Sequence, residues 1–155
     1  MSQRTQKSVL DFARDDLSPL VEALHELETE RGWINITPGI PAEAVEDDRS
    51  LFSWLTGARP QIAPLATWMP PEPGSTKPGV LGILHAGGRL TREELAMLDL
   101  PGSWRSRQNH ARRGLLYELG SWSPEEMATM MTRVVDRLAA METTGRYLAE
   151  VFRRR

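Results

Sequence analysis

The chain has 155 residues, 40% of them hydrophobic and 26% charged, with a formal net charge of −2. That length accommodates one globular core, the composition argues against disorder, and no apolar run approaches the roughly 20 residues that a membrane span requires. Cysteine is absent, which excludes disulfides, thiolate catalysis and Cys-ligated zinc, and the seven methionines fit a reducing cytoplasm.

The N-terminal residues Met1 to Lys7 are polar and form no apolar signal region, so export is not expected. They read as a flexible tail ahead of a single domain over residues 8–155. Val9, Phe12, Ala13, Leu17, Leu20, Val21, Leu24 and Leu27 recur at helical spacing and predict an amphipathic helix, with Ser18-Pro19 marking a kink or a second helix start and Gly32 the stop. His25 shares a face with Glu22 and Glu26 and reads as a solvated surface imidazole.

Trp33 to Ile36 predicts a short strand closed by Thr37-Pro38-Gly39. Residues 41–46 and 48–55 each suit a turn of helix, the second stopped by Gly57. Ile62 to Met69 and Val80 to Leu84 read as two strands joined by the proline-stiffened loop from Pro70 to Pro78. Thr91-Arg92-Glu93-Glu94 is a capping box, in which the threonine hydroxyl and the Glu94 carboxylate each satisfy a free backbone N–H, and it opens a short helix through Leu98. Trp104 to Gln108 and Leu115 to Leu119 form a further strand pair around the turn from Asn109 to Gly114. Ser123-Pro124-Glu125-Glu126 starts a helix expected to run to about Met141, and a terminal segment carries Tyr147, Leu148, Val151 and Phe152. The order from residue 62 is ββαββα. This predicts an α+β domain: an antiparallel sheet of four to five strands, helices on one face, and a helical N-terminal region.

The net charge conceals a polarity. Residues 1–60 carry 6 basic and 11 acidic side chains, a balance of −5, whereas residues 101–155 carry 10 basic and 6 acidic, a balance of +4. Such halves attract each other within one fold or orient a partner.

Two regions carry candidate chemistry. The turn His85-Ala86-Gly87-Gly88-Arg89 lies between a strand and a helix start, the order used by phosphate-cradling loops. It lacks the spaced-glycine fingerprint and the Lys-Ser/Thr ending of such loops, and Glu93 and Glu94 already neutralise the positive end of the helix. The stronger anion candidate is Trp104 to Arg113. There Arg105, Arg107, Arg112 and Arg113 offer forked donors to phosphate or carboxylate, His110 is a side chain able to donate or accept a proton, and Trp104 adds an aromatic surface. Equally, these arginines solvate an exposed hairpin and pair with the acidic half of the chain. His85 and His110, near predicted strand ends, are candidates for an acid–base pair with Tyr117 or Glu118 close by. No catalytic, cofactor or zinc motif accompanies them.

The five tryptophans, at 33, 54, 68, 104 and 122, suit a core or a recognition surface. The stripe of Met127, Met130, Met131 and Met141 reads first as core, with a homodimer or partner surface as the other reading.

In the segments Ala66 to Pro71, Gly82 to Arg89 and Trp104 to Leu116, the chain resembles a set of small uncharacterised actinobacterial proteins. The likeness spans about residues 60–120. Where those proteins read His-x-x-Gly-Pro and Asp-His-Pro-Arg-Arg-Gly, this chain has His85-Ala86-Gly87-Gly88-Arg89 and Asn109-His110-Ala111-Arg112-Arg113-Gly114, which removes the carboxylate at position 109. The resemblance implies a bacterial cytoplasmic protein and names no mechanism.

Together these features predict a non-catalytic binding or protein-interaction domain without a cofactor. Its ligand surface would be the Trp104–Arg113 hairpin, facing a protein partner or a small anion. The alternatives are a small enzyme using His85 and His110 on a phosphorylated or carboxylate substrate, and weak nucleic-acid binding through the hairpin and Arg153-Arg154-Arg155. No nucleic-acid-reader signature supports the last, and the pI near 5.9 is low for one.

Overall fold

The computed structural model describes residues 4–40 and 63–155. Among these residues seven strands form one sheet: β1 (Thr5–Ala13), β2 (Gly32–Pro38), β3 (Leu65–Met69), β4 (Gly79–Leu84), β5 (Arg105–His110), β6 (Gly114–Leu119) and β7 (Arg146–Arg154). Their order is β1-β7-β2-β3-β4-β6-β5, and every neighbouring pair is antiparallel. Three helices are described: α1 (Ser18–Leu27), α2 (Arg92–Met97) and α3 (Pro124–Leu138). None of the described helices is long and apolar enough to cross a membrane.

The expected sheet of four to five strands and the helical N-terminal region are therefore corrected. Leu20, Ala23, Leu24 and Leu27 are a true helical stripe on α1, and Val9 and Phe12 extend that spacing only by coincidence. Over residues 8–12 the chain alternates, with Ser8, Leu10 and Phe12 more buried than Val9 and Asp11, a period of two that only a strand satisfies. β1 starts at Thr5, inside the stretch read as a tail, and its nine residues all pair with β7. That partner adds the other missing strand. In β7 the inward positions Tyr147, Ala149 and Val151 alternate with Leu148, Glu150 and Phe152, and long-range pairing to both β1 and β2 makes it an interior strand.

Several local signals act as expected. The Thr91 side chain accepts from the Glu94 N–H while the Glu94 carboxylate accepts from the Thr91 N–H, so α2 opens on a complete capping box. Ser123 accepts from the Glu126 N–H and Pro124 occupies the first turn of α3. That helix ends at Leu138, short of Met141, because Ala139 is already extended with ψ 136°. The helical turns expected over 41–46 and 48–55 lie outside the described residues.

α1 and α3 pack against each other on one side of the sheet. Leu20, Leu24 and Leu27 meet a core with Met127, Met131 and Val134, all at most 1% exposed, over Ile34, Ile36, Trp68 and Val151 from the strands. Each such side chain contributes about 1.5–3 kcal/mol on burial. The methionine stripe is thus core at Met127 and Met131, as first read, while Met130 and Met141 are half-buried. Trp68 lies in the same core and meets Trp122 edge to face at 5.2 Å.

Candidate binding surface

The β5–β6 hairpin depends on one backbone feature and two side chains. Gly114 takes φ +74°, the left-handed conformation that glycine adopts without strain, and lets β6 return beside β4. His110 Nδ1 accepts from the N–H groups of Arg112 and Arg113 at 3.1 and 3.2 Å, so its imidazole caps the turn. Gln108 Nε2 donates to the carbonyls of Arg113 and Gly114.

A shift in register between Ser106 and Gln108 marks a bulge in β5. Before it, Arg105 stands opposite Glu118; within it, Arg107 Nε meets the Glu118 carboxylate at 2.9 Å. Directly opposed residues in an antiparallel pair share a face, and Glu118 alternates with the buried Tyr117 and Leu119, so both arginines lie on the face away from α1 and α3. After the bulge, Asn109 pairs with the buried Leu115 and faces the helices, while His110, opposite Gly114, faces the other way.

His85 is 2% exposed and continues the helix-facing series of Leu81 and Ile83. Its Nδ1 accepts from the Gly87 N–H at 3.1 Å, which leaves the ring proton of the neutral imidazole on Nε2. The two histidines therefore lie on opposite faces of the sheet and do not form the acid–base pair considered from sequence. The groove beside His85, about 780 Å³, is lined by Leu90, Met97, Leu98 and Leu138. Its two charged rim residues hold structure: Glu94 caps α2 and Arg137 Nη1 donates to the Met97 carbonyl. No group of three His, Asp or Glu side chains among the described residues is placed to hold a metal ion.

Trp104 is 7% exposed and belongs to the core, so it supplies no aromatic surface beside the arginines. Arg153 faces α1, where it pairs with Glu26 and Glu30, and Arg154 stacks over Trp33 at 5.2 Å. The terminal arginines are thus not one free basic cluster. Arg105, Arg107, Arg112 and Arg113 remain exposed at the hairpin.

Sequence reasoning missed the rest of this face. No described helix covers it, and it bears Val9, Met69 and Leu148, exposed by 55%, 47% and 44%. Trp33 and Phe152 stack on it with ring centroids 4.7 Å apart and planes 9° from parallel. The alternation in residues 5–13 and 146–154 was the available signal. On this face Arg105, Arg107 and Arg154 stand among the carboxylates Glu118, Glu150 and Asp11, of which Glu118 pairs with Arg107.

Compared with protein-family models, with curated proteins and with solved structures, the chain has no match.

Proposed function

We propose that this protein is a non-catalytic interaction module that binds an acidic, partly apolar segment of another protein on the sheet face that no described helix covers, with the β5–β6 hairpin as the charged end of the site. The observation that carries this reading is the placement of Arg105 and Arg107, with Glu118 between them, at the β5 edge of the face whose middle strand β3 bears the exposed Met69. Arginine forks suit carboxylates, and the sheet supplies a rigid base that needs no ordering on binding. Charge complementarity would set specificity and association rate, while the apolar strip would supply area. A catalytic reading has no comparable support once His85 and His110 are separated by the sheet.

The test is a titration of the whole protein with a synthetic peptide alternating glutamate and leucine, against a control alternating lysine and leucine. The acidic peptide should bind, shift amide resonances of Arg105, Arg107 and the β6 residues, and weaken as salt screens the contact. Arg105→Glu with Arg107→Glu should reduce its affinity about tenfold or more, one such factor corresponding to 1.4 kcal/mol. Equal binding of both peptides, or binding of neither, overturns the proposal.

A further inference from the structure

The sheet has two edges, and they are built differently. At β5 the edge is short, interrupted by the bulge at Ser106/Gln108 and carries Arg105 and Arg107, features that discourage another strand from pairing. β1 is nine residues long, has an unbroken register with β7, and contains neither proline nor glycine. No described strand pairs with its outer side.

Which backbone groups face outward follows from the ladder. Arg4 and Arg155, and Arg14 and Gly145, extend the β1–β7 register at its two ends, and each pair is hydrogen-bonded, at 3.0 and 2.8 Å. Antiparallel pairs alternate between bonded and non-bonded, so the even-numbered residues of β1 direct their N–H and C=O groups to β7. Thr5, Lys7, Val9, Asp11 and Ala13 direct theirs outward.

We infer that the β1 edge pairs antiparallel with β1 of a second copy of this chain about a two-fold axis at Val9, joining two seven-stranded sheets. The side chains select that register. With Val9 opposite Val9 of the copy, each Lys7 stands opposite an Asp11 and each Thr5 opposite an Ala13, and all nine residues overlap. Centring on Lys7 or on Asp11 would instead oppose like charges. Within one chain Lys7 already pairs with Glu150 and Asp11 with Arg146. The two-fold therefore completes rows of alternating sign, running Arg146, Asp11, then Lys7 and Glu150 of the copy. At the centre it brings together the two Val9 side chains, each among the most exposed large apolar residues of those described, with Leu148 on the neighbouring strand. A two-fold interface must be self-complementary, and this strand is. Val9 and Leu148 belong to the same sheet face as the proposed peptide site, but β1 and the charged β5 end are opposite edges of the sheet, so loss of acidic-peptide binding at Arg105 and Arg107 and loss of the β1 contact are read at different residues.

Light scattering of the whole protein over a concentration series gives the stoichiometry, and residue-resolved amide exchange locates the contact. A dimer is expected, with the Lys7, Val9 and Asp11 amides protected increasingly with concentration while the Ser8 and Leu10 amides, bonded to β7, are protected throughout. Asp11→Lys, which opposes lysines at both symmetric contacts, should weaken the dimer about tenfold or more. Adding Lys7→Asp to it should restore most of that loss. A monomer throughout, or a dimer whose Lys7, Val9 and Asp11 amides exchange as fast as solvent-exposed ones, overturns the inference, and neither result depends on a variant folding.

Discussion

Asn109 clasps the backbone of Leu90 in both directions: its Oδ1 accepts from the Leu90 N–H at 3.0 Å and its Nδ2 donates to the Leu90 carbonyl at 2.7 Å. One amide thereby ties the edge hairpin to the turn that precedes α2, across 19 residues of sequence. A carboxylate at this position could accept but not donate, and it would set a negative charge against a carbonyl oxygen.

Asn109→Asp is expected to destabilise the fold by about 1–3 kcal/mol, the cost of a part-buried carbonyl left without its donor. Denaturant unfolding measures it. The loss should shrink at acidic pH, where the protonated carboxyl regains one donor. Unchanged stability at neutral pH would mean that the clasp contributes nothing.

Gly114 and Gly88 separate two costs of a left-handed residue. Both have positive φ, +74° and +70°, but a Cβ on Gly114 would lie 2.0 Å from the Ile83 carbonyl oxygen, whereas one on Gly88 meets nothing within 4 Å. Gly88→Ala should cost about 1–2 kcal/mol for conformation alone. Gly114→Ala should cost clearly more, because the β6 backbone must move off β4. Thermal unfolding of the two variants side by side decides it; equal losses would show that the close approach at Gly114 relaxes freely.

His25 gives the protein a pH dependence of known sign. Its ring lies 3.0 Å from the Glu28 carboxylate and 3.1 Å from that of Glu125, and these partners, Glu28 first, hold its pKa above the ordinary 6.5. A group whose folded pKa is raised binds its proton more tightly in the folded state. Its stabilising contribution is complete below about pH 6.5, the unfolded value, and disappears as pH rises through the folded value. His25→Gln should therefore lower the melting temperature in mildly acidic buffer and leave it nearly unchanged in alkaline buffer. A constant difference across that range would exclude the charged contact.

Trp33 to Ile36, the Pro70–Pro78 hairpin, the Thr91 and Ser123 caps and the hairpin through Gly114 were legible because their causes are local: alternation, turn residues and side chains that bond within three positions. β1 was not, since Val9 and Phe12 fit a helical spacing as well as a strand, and nothing nearby shows that residues 5–13 have a partner 159 minus their own number along the chain. The candidate site divided in the same way. Arg105, Arg107, Arg112 and Arg113 are exposed at the hairpin as their charge required, but Trp104, beside them in sequence, is in the core.

By itself the sequence determined an antiparallel sheet hairpin rich in arginine and the starts of its later helices, which follow from contacts a few residues apart. Only the tertiary structure decided the number of strands, the faces of His85 and His110, and which apolar side chains stay uncovered. The reason is the two-residue period of a strand. A bulge at Ser106/Gln108 changes which side chains face the helices, and pairing between β1 and β7, separated by most of the chain, decides whether Val9 meets a core or solvent.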